Sequence, residues 1–234
     1  MSAAATRSKF TKQLDDIEEY LRRLTEKCAS DVRAAGLAAV GDKGAAEGVM
    51  AGRKNEDRLR NAIEENCLDV MLLQQPLIGE DLRFVSGAFR IVSDLTHIDG
   101  MTRDIAFLVE EIPAKASEQL SDDFTEMAEA SAVMVEEAGA AFAAADVETA
   151  QKVVEDDNRV NALYDEVERK LVDLIRSGTA PARYLPELLM VAKYFERIGD
   201  LAKRVAAWAI FRVTGEHVVA EKASQQRAAD GQDA

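Results

Sequence analysis

The chain contains 234 residues, of which 47% are apolar, enough to bury the core of one or two domains. Its 43 acidic and 29 basic residues give a formal net charge of −14, which argues against nucleic acid as a partner. The two cysteines have neither metal-ligand nor disulfide spacing, which is typical of the cytoplasm. No stretch resembles a signal peptide or reaches the roughly 20 apolar residues of a membrane span, so we expect no direct membrane insertion.

Apolar residues recur three and four positions apart along most of the chain, a spacing that predicts six long helices. Asp42 and Asp146 are the predicted N-caps of the second and fifth helices, and Pro113 is predicted to end the third. The predicted helices cover about 10–40, 43–74, 81–112, 124–142, 147–177 and 183–213. The composition is rich in alanine, leucine and acidic residues and has only 6% aromatic residues, which also favours helices.

The second half of the chain repeats the pattern of the first half. The segment RFVSGAFRIVSDLTHIDG from Arg83 aligns with RYLPELLMVAKYFERIGD from Arg183, and EDRL from Glu56 aligns with DNRV from Asp157. Periodicity alone could align two amphipathic helices this well, so at the level of the sequence that explanation stays open. A genuine repeat is the interpretation that we follow.

The repeat predicts an all-α fold, namely two tandem three-helix bundles (six long helices) packed side by side. The first bundle is assigned to residues 8–115 and the second to residues 116–217. The remaining residues, 218–234, have little apolar periodicity and an acidic end, and they are predicted to form a flexible acidic tail.

Two of the predicted helices carry an acidic residue inside an apolar stripe. Asp157 lies in the heptad seam of the fifth helix, and Glu56 lies in the stripe of the second. A buried carboxylate is costly unless it is paired, hydrogen-bonded or bound to a metal. Two interpretations therefore stay open. The acids are metal ligands, or the seam is hydrated there and Arg58 or another arginine pairs with the acid.

The polar face of the sixth helix holds another candidate pair of acids. Glu196 and Asp200 lie one turn apart, where their like charges repel each other. Lys203 also flanks Glu196, and Arg204 follows Asp200 by one turn in the order that favours a helical ion pair. A solvated face of salt bridges therefore explains the same pattern without any function.

The sequence offers no recognisable active site. It lacks the glycine-rich phosphate-binding motifs, the GxSxG nucleophile motif and the HExxH zinc motif. Its two histidines, His97 and His217, are too few for a di-iron bundle, which needs two Glu-x-x-His pairs. Neither cysteine has a histidine nearby in sequence to activate it. We therefore predict that the chain is not an enzyme.

Three motifs resemble the PhoU family of phosphate-uptake regulators. They are VEDDNRVNALYDEV from Val154, YFERIGDLA from Tyr194 and FRVTGE from Phe211, and the resemblance extends over nearly the whole chain. The family is itself a tandem duplication of three-helix units. The resemblance implies a cytoplasmic negative regulator of phosphate uptake and phosphate-starvation signalling, which couples a phosphate ABC transporter to a sensor histidine kinase. The implied partners are the transporter ATPase subunit, the kinase and a second copy in a homodimer.

The resemblance also implies a metal site, because E/D-x-x-x-D motifs hold iron or other metals in some members of the family. It assigns a divalent or iron cation, and no other cofactor, to Asp157, Glu196 and Asp200 in the second repeat. In the first repeat only Glu56 is retained, with Asp94, Asp99 and Asp104 nearby at other helical phases as partial substitutes. The positions that depart from the family motifs are Asn161, one turn after Asp157, and Arg60, Thr96 and Gly100 in the first repeat.

These departures have two consequences for the predicted function. A hard cation needs several carboxylate oxygens, so we expect metal binding to be confined to the second repeat. They also leave one alternative function open, a PhoU-like metal-binding helical bundle that regulates a different transport or signalling system, since a shared fold does not fix the partner.

Overall fold

Six long helices make up most of the computed structural model, which describes residues 3–74, 76–178 and 182–217. The long helices are α1 (Ala3–Ala39), α2 (Lys43–Leu73), α3 (Gly79–Val109), α5 (Ser121–Ala144), α6 (Val147–Ser177) and α7 (Leu185–Thr214), and α4 (Ala114–Ser117) is a single turn. Short 3-10 turns precede α5 and α7. The described residues contain no β-strand, and the predicted all-α fold is confirmed.

The two predicted N-caps are present in the structure. The Asp42 carboxylate accepts a hydrogen bond of 3.0 Å from the Ala45 amide at the start of α2. The Asp146 carboxylate accepts two such bonds, from the Glu148 and Thr149 amides, at the start of α6. Each cap satisfies amide donors that have no carbonyl partner in the first turn of a helix.

The end of the third helix differs from the prediction. Helix α3 ends at Val109, four residues before Pro113, and Pro113 has extended backbone and stands at the start of α4. The physical reason is that a proline disfavours helical geometry in the residue before it as well as removing its own amide donor. The short helix α4 was not predicted, because a single turn shows no apolar period.

Four helices form the centre of the bundle, and two lie outside it. Helices α1, α3, α5 and α7 pack against one another, whereas α2 packs mainly on α1 and α3, and α6 mainly on α5 and α7. Helices α1 and α5 run antiparallel, with Gly36 of α1 against Ala128 and Gly139 of α5 against Thr25. Glycine is needed at these crossings because a Cβ atom there would overlap the facing side chain.

One hydrogen bond between helices occurs in equivalent form in both halves of the chain. The Cys28 thiol donates to the Leu95 carbonyl at 3.4 Å, and the Ser131 hydroxyl donates to the Phe195 carbonyl at 3.1 Å. Leu95 and Phe195 are matched by the alignment of the two halves. The first and last three long helices thus use equivalent positions to tie neighbouring helices together.

The predicted boundary between residues 115 and 116 lies inside α4, between the two sets of long helices. The predicted tail, 218–234, lies outside the described residues. None of the described helices combines the length and the apolar character that are needed to cross a lipid bilayer.

Candidate functional site

Three buried carboxylates meet between the first three long helices. Asp31 of α1, Glu56 of α2 and Asp99 of α3 each bring a carboxylate oxygen within 4.8 Å of the other two. The side chains of Glu56 and Asp99 are only 4% and 5% exposed. We call Asp31, Glu56 and Asp99, together with Lys27 and Arg103, the first cluster.

Two basic side chains of the first cluster compensate its carboxylates. Lys27 Nζ lies 3.0 Å from Glu56 Oε1 and also pairs with Asp31, one turn along α1. Arg103 Nη1 lies 3.5 Å from Glu56 Oε2 and also pairs with Asp99, one turn before it on α3. Three carboxylates and two cations leave a formal charge of −1, so most of the repulsion is removed by the chain itself.

A glycine makes room for the first cluster. A Cβ atom on Gly52 would lie 2.8 Å from Lys27 Nζ and would overlap the Glu56 carboxylate. Gly52 stands four residues before Glu56, and the residue four before Asp157 in the second half is the buried Val153. The first half therefore accommodates charged groups at a level where the second half buries an apolar side chain.

Burial raises the pKa of two carboxyl groups in the first cluster. Desolvation is the main cause at both Asp31 and Asp99, and the pairing cations Lys27 and Arg103 oppose it. The Glu56 carboxylate raises the pKa of Asp99 further by repulsion. The cluster therefore holds charges that are costly to bury and that depend on both cations.

The first cluster answers the question that the sequence left open at Glu56. An arginine does pair with this acid, but it is Arg103 of α3 and not Arg58. Sequence reasoning noted Asp99 only as a nearby acid and missed Asp31 altogether. The available signal was that Asp31 follows the buried Cys28 by three residues, on the apolar face of α1.

Lys203 links two of the predicted metal ligands in the second half of the chain. The Asp157 carboxylate is 4% exposed and lies 2.5 Å from Lys203 Nζ. Asn161 Nδ2 donates to the same carboxylate at 3.2 Å, and Lys203 Nζ lies 3.7 Å from Asp200. The structure therefore brings Asp157 and Asp200 to one ammonium group. We call Asp157, Glu196 and Asp200, with Lys193 and Lys203, the second cluster.

Glu196 completes the second cluster through a separate lysine. Lys193 Nζ lies 2.8 Å from its carboxylate, one turn earlier on α7. Desolvation raises the pKa of Asp200, and repulsion from Asp157 and Glu196 raises it further. The carboxylate oxygens of these three acids do not all lie within 4.8 Å of one another, unlike those of the first cluster, and lysines lie among them.

One predicted ion pair is wrong. Arg204 was expected to pair with Asp200, one turn earlier on the same helix, but its guanidinium pairs with the buried Asp94 of α3. The physical reason is that Asp94 is 5% exposed and needs a partner, whereas Asp200 is 55% exposed and remains hydrated. Arg204 thereby connects α7 to α3 at the surface of the bundle, where its side chain is 52% exposed.

The remaining reactive side chains show no arrangement for covalent chemistry in the described part of the chain. Both cysteines are buried, and burial raises the pKa of Cys67 to about 12 and that of Cys28 well above its usual value. His97 is exposed, and the His217 ring stacks on Phe211 at 4.2 Å. What the fold and its side chains define is an all-α bundle with an acidic, internally compensated cluster in each half.

Comparison with known proteins places this bundle in a family. The model of the PhoU domain matches twice, at residues 21–109 and 124–209, and the chain belongs to the PhoU domain family. It is 26% identical over 216 residues to the phosphate-specific transport system accessory protein PhoU homolog of Clostridium acetobutylicum, covering 91% of this chain and 98% of that protein.

Two further relatives agree with this assignment. The chain is 32% identical over 177 residues to the PhoU homolog of Aquifex aeolicus, covering 74% of this chain and 78% of the relative. It superposes on the crystal structure of PhoU from Pseudomonas aeruginosa with a TM-score of 0.78 and 26% identity, covering 88% of this chain and all of that one. The similarity therefore extends over both halves of the fold.

Proposed function

We propose that this protein is an accessory protein of a phosphate transport system that acts as a cytoplasmic negative regulator of phosphate uptake and phosphate-starvation signalling. It would couple a phosphate ABC transporter to a sensor histidine kinase through contacts of its helix faces with the transporter ATPase subunit and the kinase. In the same proposal it acts as a homodimer. No bond is made or broken in this role, because regulation consists of stabilising one state of each partner.

One observation carries this proposal. Relatives that are named phosphate-specific transport system accessory proteins match nearly the whole chain, and the match to the Clostridium acetobutylicum protein covers 98% of that relative. Regions of helix surface from both halves are thus present for partner contacts. The acidic charge of the chain supports recognition of basic surfaces, since opposite charges speed the encounter of two proteins.

Deletion of the gene is the first test of this function. In phosphate-replete cells, the deletion strain is expected to take up phosphate faster and to express phosphate-starvation genes, because the restraint on transporter and kinase is lost. Phosphate uptake and a starvation-promoter reporter measure the two effects, and the intact gene on a plasmid is the control. Unchanged uptake and reporter activity would instead support a regulator of a different transport or signalling system.

The second cluster supports a metal-binding role as a second candidate function. We propose that Asp157, Glu196 and Asp200 hold a divalent or iron cation, because repulsion among these three acids persists beside the two lysines. Lys203 Nζ and Asn161 Nδ2 both contact Oδ2 of Asp157, so the buried Oδ1 atom, which has no hydrogen-bond partner among the described residues, is the oxygen open to a cation. Each cluster already holds two basic side chains against its acids, and the carboxylate oxygens of the first cluster lie closer together, within 4.8 Å of one another.

Metal content should distinguish a cation site from a face of salt bridges. Protein purified without a chelating tag is expected to retain metal, and Glu196→Gln combined with Asp200→Asn is expected to remove it, because two of three carboxylate ligands are lost. The matched control replaces the exposed acids Glu155 and Asp165 with their amides. Equal, near-zero metal in all three proteins would show that Lys193 and Lys203 are the only cations at these acids.

A further inference from the structure

A groove lies at one end of the bundle, in the first half of the chain. The second half has a basic side chain at the equivalent position, and among the described residues the first half does not. It has a volume of about 840 Å³ and lies between the α1–α2 connection and the end of α3. Met50 and Phe107 line the groove and are 49% and 68% exposed. Large apolar side chains that remain exposed in a groove mark a surface for binding.

The charges around this groove are mainly negative and uncompensated. Glu47, Glu110 and Glu111 line it, and within the described residues none of these carboxylates has a basic group at ion-pair distance. Asp42 also lines the groove, where it caps α2, and among the residues that the structure describes Lys43 is the one basic residue in the lining. The lining therefore carries four acids and one base.

Two helices end at the groove and one begins there: the C-terminal ends of α1 and α3 add negative potential, and the N-terminal end of α2, which Asp42 caps, adds positive potential. Helices α1 and α3 both terminate there, and neither has a basic residue in its last turn. The C-terminal end of a helix carries a partial negative charge and exposed carbonyl oxygens. Glu110 and Glu111 directly follow α3, where acidic groups are unfavourable.

In the second half of the chain, an arginine compensates the negative ends of the corresponding helices. Arg212, in the last turn of α7, donates from Nη1 to the Phe142 carbonyl at 2.5 Å and to the Ala143 carbonyl at 3.0 Å, at the end of α5. Its guanidinium also lies 4.6 Å from the centre of the Phe84 ring. One basic group beside an aromatic ring thus compensates the ends of α5 and α7.

We infer that the groove between α1, α2 and α3 binds a segment of another protein that presents an arginine or lysine next to a large apolar side chain. The basic group would lie at the ends of α1 and α3, as Arg212 lies at the ends of α5 and α7. The apolar side chain would cover Phe107 and Met50. The identity of that protein as a transport or signalling component rests on the function proposed above, but the chemistry of the groove does not.

A defined peptide tests the groove directly. The probe is a blocked fluorescent peptide in which two arginines flank a Leu-Phe-Leu core, and its affinity for the full chain is measured by fluorescence anisotropy. The arginine peptide is expected to bind at least about tenfold more tightly than versions with glutamine or glutamate in place of arginine. Glu110→Lys with Glu111→Lys, and separately Phe107→Ser, are expected to weaken binding by about the same factor.

A charge-matched variant separates the groove from the overall charge of the protein. Glu155→Lys with Glu168→Lys makes the same change in net charge on exposed positions of α6, and it is expected to leave the affinity within about twofold. An equal loss of affinity in this control would mean that peptide binding depends only on the net charge of the protein. Circular dichroism establishes that each variant retains the helical content of the parent.

Other occupants of the groove give different results. Tighter peptide binding after removal of residues 218–234 would show that the chain's own C-terminal segment occupies the groove. Weaker self-association of the Phe107→Ser variant in sedimentation experiments would assign the groove to a second copy. Either result, or absence of peptide binding, overturns the inference. If instead the peptide binds but deletion of the gene leaves phosphate uptake unchanged, the inference about the groove holds and the proposed transport role is wrong.

Discussion

Replacement of Arg103 by leucine is expected to lower the free energy of unfolding by about 3–5 kcal/mol at neutral pH, because it leaves buried carboxylates without their cation. Arg103 pairs with both Glu56 and Asp99, whose side chains are almost fully buried. In the described part of the chain, Lys27 is then the one basic group left for three acids. Urea denaturation followed by circular dichroism measures the change.

The destabilisation caused by Arg103→Leu is expected to depend on pH. In the parent, burial raises the pKa of Asp99 while Arg103 opposes that rise, so the variant raises this pKa further. A carboxyl group with a higher pKa in the folded than in the unfolded chain favours folding at low pH, and this contribution is lost as pH rises through the folded pKa. The difference in free energy of unfolding between the parent and the variant should therefore become smaller as pH falls from neutrality toward the usual carboxyl range.

Arg159→Leu is the matched control for this experiment. Arg159 pairs with Glu126 at 2.9 Å, but the two side chains are 65% and 50% exposed. An exposed pair of this kind contributes at most about 1 kcal/mol, and its loss leaves both groups hydrated. A deficit in Arg103→Leu that stays constant with pH would point to lost side-chain packing, and it would contradict the dependence of the buried acids of the first cluster on Arg103.

Two glycine-to-alanine substitutions are expected to change stability in opposite directions. Gly36→Ala should destabilise the fold by about 1–3 kcal/mol, because its Cβ would overlap Ala128 Cβ and come within 3.7 Å of the Phe124 carbonyl oxygen. Gly48→Ala should stabilise it by about 0.5–1 kcal/mol, because nothing lies within 4 Å of the new Cβ and alanine is the better helix former. Denaturant midpoints of both variants at one pH provide the measurement.

The expected stability changes of the two variants have opposite signs, so together the variants test the contact between α1 and α5. Intrinsic helix propensity favours alanine at both positions, so any difference between the variants reports on the neighbours of each glycine. Destabilisation is expected only where two helices approach closely. Stabilisation by Gly36→Ala would mean that α1 and α5 separate at little cost, and it would contradict the close crossing of these helices.

Much of the fold follows from local features of the sequence. The apolar periods predicted six long helices, and the caps Asp42 and Asp146 marked two of their starts, because capping and amphipathic spacing depend on neighbouring residues alone. Family membership could also be anticipated from the motifs around Val154 and Tyr194. The end of α3 could not be placed, since Pro113 limits a helix without fixing where it stops.

The candidate site was only partly visible before the structure. Asp157 stands out from the apolar seam of its helix, and Glu196 and Asp200 stand out from their spacing on a polar face. Their predicted role as metal ligands follows only from the resemblance to the PhoU family. The sequence could not show that Lys203 would pair with Asp157, because the two residues lie on different helices. Whether these acids bind a metal stays a prediction.

The sequence by itself determined the helices, the caps and the presence of acids in apolar stripes, all of which depend on residues within a few turns of one another. The repeated pattern was also visible in the sequence, because two distant segments align directly. Only the tertiary structure decided which charges meet. Asp31, Glu56 and Asp99 converge from three helices, and Arg204 turns to Asp94 instead of Asp200. The physical reason is that a buried charge takes whichever partner the packing of the helices brings within reach, and helix packing is not encoded in any local period.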